Sequence, residues 1–216
     1  MDAFLMSFTT SGDHLKTTNI GLAGGVDYDI FGNVNGLGVG TDSAGNVYIT
    51  GYSSRETGNT DVMSQLGILV DGVFTPISDE VLGSNNAFVT KFDSDLTPQF
   101  TKIIGAIEAS FIAGSIVVQS DGGFFITGYA NQGLDGKSIT GEQDAFIMKY
   151  NSSGNKDWTQ FLGFNDSITF GLAIAKDSIG DLFIAGMTQS MAAPDASPDP
   201  ADGFVGKLSS QNGDLK

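Results

Sequence analysis

The sequence predicts an all-β protein built from repeated antiparallel sheets, and three observations lead to this prediction. The 216 residues include 30 Gly and 16 Phe, while only 16% are charged. This balance suits short strands joined by tight turns. Two sequence phrases recur along the chain at a constant spacing, apart from two insertions. Within each phrase apolar residues alternate with small or polar residues, as they do in strands.

The first repeated phrase has the pattern Asp-Ala-Phe, an apolar residue, any residue, Lys and a second apolar residue. Its copies begin at Asp2, Asn86, Asp144 and Asp202. The first three copies continue through a polar stretch, such as residues 151–154, into a second run of alternating residues. The phrase therefore predicts two antiparallel strands joined by a turn.

The second repeated phrase contains Asp-Ser-x-Gly-Asn or a close variant, and its copies end at Gly51, Gly128 and Gly186. Alternating residues on both sides of the Asp-Ser-x-Gly segment predict a hairpin. In its turn, the Asp side chain binds local backbone and the Gly takes a positive φ. The final Gly of the phrase indicates either a close backbone approach or a positive φ.

The spacing of the phrases defines one repeating unit of four strands. The interval from Asn86 to Asp144 equals the interval from Asp144 to Asp202. The interval from Asp2 to Asn86 is longer, because it contains a shorter insertion between Gly21 and Gly36 and a longer insertion within 53–85. Long periods indicate solenoids, propellers or arrays, and four strands per unit is the content of a propeller blade.

We therefore predict a β-propeller of four-stranded antiparallel blades, with about three and a half repeats. The predicted units are a half-blade at 1–21, a repeat at 36–105 with an inserted hairpin within 53–85, a repeat at 113–163 and a partial repeat at 171–216.

Together the two phrases resemble the bacterial β-propeller repeat known as SBBP. The resemblance rests on DAFIMKYNSSGNKDWTQFLG followed by GLAIAKDSIGDLFIAGMT, and it covers nearly the whole chain outside the two insertions. The chain departs from the pattern at Gln119, which replaces the turn Asp, and at Ser7, which replaces the Lys. The resemblance implies a secreted or surface-associated propeller, and it implies no particular chemistry.

The repeated residues are interpreted as structural rather than functional. A turn Asp could instead be a metal ligand or a general base, but its recurrence once per repeat favours stabilisation of the turn. The Asp of the first phrase is expected to bind neighbouring backbone, and the Phe of that phrase, including Phe4, is expected in the core between blades. Structural roles are thus assigned to Asp42, Asp144, Asp177, Phe88, Phe146 and Phe204.

The sequence offers little for catalysis or for a cofactor. His14 is the single histidine and there is no cysteine, so a Ser-His-Asp triad has one candidate base and zinc ligation by His or Cys is not expected. Oxygen ligands remain, and Asp27 and Asp29 in the shorter insertion form a weak candidate calcium site without the spacing of an EF-hand. We expect no catalytic residues and no cofactor, with calcium at Asp27 and Asp29 as the one weak candidate.

Charge and hydropathy exclude two further classes of partner. The net charge of −15 argues against nucleic-acid binding, which needs clustered Lys and Arg. No apolar stretch long enough to cross a bilayer occurs, so no membrane span is predicted.

The longer insertion is the candidate binding segment. Its apolar residues flank Asp71-Gly72, a dipeptide that strongly indicates a two-residue hairpin turn. Loops grafted on a shared scaffold commonly carry function. The apolar side chains either pack on the edge of the blade or bind a partner; they are Leu69, Val70, Val73, Phe74 and Ile77.

The sequence therefore predicts a non-catalytic β-propeller module that binds protein or glycan, or builds an assembly, on a cell surface or in the extracellular space. An incomplete set of blades would leave open strand edges, which predicts self-association or a larger assembly. One alternative is a structural subunit of a phage particle (a virion component) or of a surface filament. Another is an enzyme that acts on polysaccharide through paired carboxylates.

Overall fold

The computed structural model describes residues 2–23, 32–55, 65–70, 73–80, 83–191 and 201–216, and in these ranges the chain contains strands and no helix. The strands pair into four antiparallel sheets, numbered here I to IV. The all-β prediction is confirmed.

The sheets have the following strand orders. Sheet I contains β1 (Ala3–Phe8), β2 (His14–Ala23), β5 (Gln65–Val70) and β6 (Val73–Glu80). Sheet II contains β3 (Gly32–Thr41), β4 (Val47–Arg55), β7 (Asn85–Phe92) and β8 (Pro98–Ile104). Sheet III contains β9 (Phe111–Val118), β10 (Phe124–Ala130), β11 (Asp144–Tyr150) and β12 (Lys156–Leu162). Sheet IV contains β13 (Ser167–Lys176), β14 (Asp181–Ser190) and β15 (Asp202–Ser209).

Sheets II and III have the four-stranded arrangement predicted for a repeat. In each, the hairpin of the second phrase pairs with the strand pair of the first phrase, so that Gly51 lies opposite Phe88 and Gly128 opposite Phe146. Sheet IV contains the first three strands of this arrangement, and Leu215 forms a bridge to β15 at the place of the fourth. The described residues do not close into a barrel or a propeller ring.

Sheet I is built differently from the other three. It contains the strand pair of the first phrase, β1 and β2, but the inserted hairpin β5–β6 is added at the outer side of β2. Among the described residues, no strand pairs with the other edge of β1.

The four sheets stack in the order I, II, III, IV. Strand β3 lies against β1 and β2, β9 lies against β3, β4 and β7, and β13 lies against β9, β10 and β11. Three hydrophobic clusters fill the spaces between successive sheets. Sheets II and III are therefore buried on both faces, whereas sheets I and IV each have one face that no described sheet covers.

The exposure of the Phe in the first phrase differs between the inner sheets II and III and the outer sheets I and IV. Phe88 and Phe146 are fully buried, and Phe204 is half-buried between sheets III and IV. Phe4, however, is 61% exposed. The expectation that Phe4 lies in the core is wrong, because it is on the face of sheet I that points away from sheet II.

The Gly that ends the second phrase is required by a close backbone approach. A Cβ at Gly51, Gly128 or Gly186 would lie 1.8 to 1.9 Å from a carbonyl oxygen of the preceding strand. The register of each hairpin shifts at this point, which brings the carbonyl toward the Gly. None of the three has a positive φ, so the close approach is the reason for the Gly.

Candidate functional surfaces

The turn aspartates of the second phrase bind their own turns. The Asp42 carboxylate accepts hydrogen bonds from the backbone N–H groups of Ala44 and Asn46, each at 3.0 Å, and from the Asn46 side-chain amide at 2.7 Å. Burial opposes ionisation of this carboxylate, but the hydrogen bonds outweigh burial and lower the pKa of Asp42. Its oxygen atoms are thus occupied by the turn.

Asp177 has the same role in sheet IV. Its Oδ1 atom accepts from the backbone N–H groups of Ile179 at 3.1 Å and Asp181 at 2.8 Å. The Gly residues of the two turns, Gly45 and Gly180, have φ angles of 82° and 97°, which residues with a Cβ rarely adopt. The turn is therefore specified by Asp at its start and by Gly at its left-handed position.

The residue that starts the first phrase binds the loop before it. Asp144 is buried and accepts from the backbone N–H groups of Thr140 at 2.7 Å and Gly141 at 2.9 Å. Space for this carboxylate exists because position 163 has no Cβ, since a Cβ there would lie 1.8 Å from Asp144 Oδ1. Asn86 holds Gly83 in the same way, with Gly83 N–H donating at 2.9 Å.

Two ionic clusters are not apparent in the sequence pattern. At the end of sheet IV, Asp181 binds both Lys216 and Lys207, the latter at 2.8 Å, and these hydrogen bonds lower the pKa of Asp181. Beside sheet III, Asp135 binds the Lys156 ammonium at 2.6 Å and accepts from the Thr159 hydroxyl at 2.5 Å.

The Asp135 cluster has no counterpart in the other repeats, so aligning the repeats could not reveal it. Burial of the Asp135 carboxylate opposes its ionisation, but Lys156 and Thr159 outweigh burial and lower the pKa of Asp135. Asp135 is thus paired with one lysine and Asp181 with two.

These carboxylates do not form a metal centre. Within the described ranges, no group of three His, Asp or Glu side chains is placed to hold a metal ion. Asp27 and Asp29, the candidate calcium ligands, lie outside the described residues. Calcium binding at these two positions stays a prediction.

The inserted segment forms the predicted hairpin. Leu69 and Val70 lie in β5, Val73, Phe74 and Ile77 lie in β6, and the ladder pairs Val70 with Val73 across Asp71-Gly72. The two turn residues and the five apolar side chains are outside the described part of the structure. Their role in binding stays a prediction.

The edge of sheet I at β6 is poorly suited to accept another strand. Pro76, which has no N–H group, lies in β6 and is exposed, and the register of the hairpin is irregular beside it. Proline and register irregularities are common protections of strand edges. The open face of sheet I is therefore a better candidate contact than its β6 edge.

Two apolar surfaces lie at opposite ends of the stack. Face I is the surface of sheet I that points away from sheet II, and its exposed apolar side chains are Phe4, Met6, Phe8 and Leu15. Face IV is the surface of sheet IV that points away from sheet III. It contains two cross-strand rows, namely Ala173, Ala185 and Val205, and Ala175, Phe183 and Lys207.

The inserted hairpin lies beside β2 in sheet I. In the register of this sheet, Asn19 lies opposite Leu69, and Leu69 lies opposite Phe74. The alternation in Ala3–Phe8 is the sequence signal for the exposed side chains Phe4, Met6 and Phe8.

Comparison with models of known protein families finds no match to this chain, and comparison with curated proteins finds none either. Within the described ranges, the chain has no helix of the length and hydropathy needed to cross a membrane.

Proposed function

We propose that this chain is a non-catalytic β-propeller module of the SBBP type that binds protein or glycan, or assembles, on a cell surface or in the extracellular space. Sheets II and III support the propeller assignment, because they repeat one strand order and stack face to face. The observation that carries the functional proposal is the presence of apolar faces I and IV at the two ends of the stack.

These faces are the counterparts of surfaces that are buried elsewhere in the same protein. Phe4 on face I corresponds to Phe88 and Phe146, which are fully buried. Val205 on face IV corresponds to Val89, which is also buried, whereas Val205 is 75% exposed. Contiguous exposed apolar surface of this kind marks interaction sites.

The carboxylates favour binding over catalysis. An enzyme acting on polysaccharide needs a carboxylic acid whose pKa is raised, beside a second carboxylate. Hydrogen bonds and lysines instead lower the pKa of Asp42, Asp135 and Asp181. These groups stabilise turns and sheet ends.

A structural subunit of a phage particle or surface filament is the second candidate. The placement of apolar faces at opposite ends of the stack favours it, since a head-to-tail contact between unlike surfaces can build rings or filaments.

The test of the proposed function uses the purified chain with a panel of soluble polysaccharides and immobilised extracellular proteins. Retention in affinity electrophoresis and surface plasmon resonance reports binding, and release of reducing ends reports hydrolysis. We expect saturable binding without hydrolysis, and we expect the double variant Phe4→Ser, Met6→Ser to weaken binding at least about tenfold.

The matched control is Ile107→Ser, which alters a loop residue that is 74% exposed and belongs to neither face. It should bind like the unaltered chain. Release of reducing ends that Asp135→Asn abolishes would assign the protein to the enzymes and contradict the proposal.

A further inference from the structure

We infer that a second copy of this chain covers face IV with its own face I, in a head-to-tail contact. This inference rests on the assembly function proposed above, and it names the partner and the two surfaces. The two surfaces are unlike each other, so the contact is heterologous.

The buried interfaces within the chain show which residues cover the Phe of the first phrase. Phe88 of sheet II packs in one cluster with Ala3 and Leu5 of sheet I. Likewise, Phe204 of sheet IV packs against the cluster that contains Ala145 and Ile147 of sheet III. In both cases the covering residues are the Ala of the preceding first phrase and the apolar residue two positions after it.

The same rule predicts the cover for Phe4. On sheet IV the covering positions are Gly203 and Val205, and Val205 is exposed. Face IV therefore offers the surface that face I requires, and face I offers the surface that face IV requires. A second copy supplies both without any new kind of contact.

The lysine and aromatic pair on face IV also matches a buried interface. On sheet II, Lys91 lies over the Tyr48 ring with its Nζ 5.2 Å from the centroid, and sheet III covers Tyr48 and accepts its hydroxyl hydrogen bond at Gly122. On sheet IV, Lys207 lies over the Phe183 ring at 5.6 Å. Face IV thus has the composition of a face that is covered in the middle of the stack.

The area of the contact predicts a weak association. Three strands, as in sheet IV, that are about 4.8 Å apart and about seven residues long cover on the order of 350 Å² on each side. The total is below the roughly 1,200 Å² of standard stable interfaces. Repulsion from the net charge of −15 weakens the contact further at low ionic strength. Association should therefore need high protein concentration and moderate salt.

The test blocks each face separately in the full chain and measures mass by sedimentation velocity over a concentration series. Phe4→Asp blocks face I and Val205→Asp blocks face IV; both side chains are exposed, so both variants should keep the melting temperature of the unaltered chain. The unaltered chain should increase in mass with concentration, and each variant alone should stay monomeric. An equimolar mixture of the two variants should regain a one-to-one complex, because one intact face I meets one intact face IV.

The control variant Ile107→Asp places the same charge on an exposed loop and should associate like the unaltered chain. Three results would overturn the inference: a monomeric unaltered chain at the highest concentration, a Val205→Asp variant that still dimerises alone, or a mixture that stays monomeric. A monomeric chain that still binds glycan or another protein through face I would overturn the head-to-tail contact and leave the proposed function standing.

Discussion

The four equivalent phenylalanines of the first phrase differ in burial, so Phe→Ala at each position measures how the cost of the substitution depends on burial. Phe146→Ala removes a side chain that is fully buried, with its ring 6.2 Å from that of Phe111. Truncation of a buried Phe costs about 3–5 kcal/mol, because transfer free energy is lost and a cavity remains. Phe88→Ala should cost about the same, since Phe88 is equally buried.

The exposed equivalent serves as the internal control. Phe4 already exposes 61% of its surface to water, so Phe4→Ala should cost less than about 1 kcal/mol in the monomer. Phe204→Ala should fall between the two values, because Phe204 is half-buried.

Urea denaturation at low protein concentration measures these differences while the end faces are free. With a slope of about 2–3 kcal/mol per molar urea, Phe146→Ala should lower the midpoint by roughly 1–2 M, and Phe4→Ala by less than about 0.5 M. Equal losses at Phe4 and Phe146 would refute the stacking order from which the two environments were deduced.

Three further predictions concern single positions. Gly128→Ala should destabilise the folded state by more than about 2 kcal/mol, because the added Cβ would lie 1.9 Å from a backbone oxygen. The control is Gly114→Ala, whose Cβ would have no atom closer than 3.6 Å and which should change stability little. Trp158→Phe should leave the melting temperature unchanged or raise it. The indole N–H is buried without a hydrogen-bond partner in the described residues, and leaving such a group unpaired costs about 1–3 kcal/mol. A Phe also fits this position in another sheet, since Phe100 holds the equivalent register position. The folded state lowers the pKa of Asp42 from its ordinary 3.8. The ionised carboxylate therefore stabilises the folded state fully above that pH, and this stabilisation is lost as the pH falls below it. Asp42→Asn should therefore flatten the acid limb of a melting-temperature profile against pH.

Local features of the fold could be predicted from the sequence because they depend on residues close together in the chain. Alternation specifies the strands, and the Asp and Gly of each turn supply a hydrogen-bond acceptor and a left-handed backbone. The hairpin around Asp71-Gly72 is an example, because both strands and the register follow from one dipeptide and its apolar flanks.

Non-local features could not be predicted in this way. The pairing of β5 with β2 joins segments that are far apart along the chain and separated by two strands of sheet II. The repeat pattern gives no information about which edge receives an insertion. The exposure of Phe4 depends on which sheet lies beside it. The sequence indicates that Phe4 is apolar and repeated, but its burial depends on a covering sheet, and no described sheet covers this face of sheet I.

The candidate surfaces show the same division. The inserted hairpin could be identified from the sequence, because its residues are more apolar than those of ordinary surface loops. Face IV was not visible, since Val205 and Phe183 look like any other copies of the repeat. An end surface differs from an interior one only in its surroundings.

The Asp side chains that hold the turns bind residues only two to four positions away in the sequence. Asp144 binds Thr140 and Gly141, and Asp42 binds Ala44 and Asn46, so each anchor closes within its own unit. A tandem duplication of residues 113–170 would therefore carry the hydrogen bonds that join Asp144 to its loop. The duplicated sheet would meet its original through a contact of the kind that sheets II and III already make. The stack can thus lengthen by one whole repeat while faces I and IV keep the same residues, so the number of sheets can change without a change in either face.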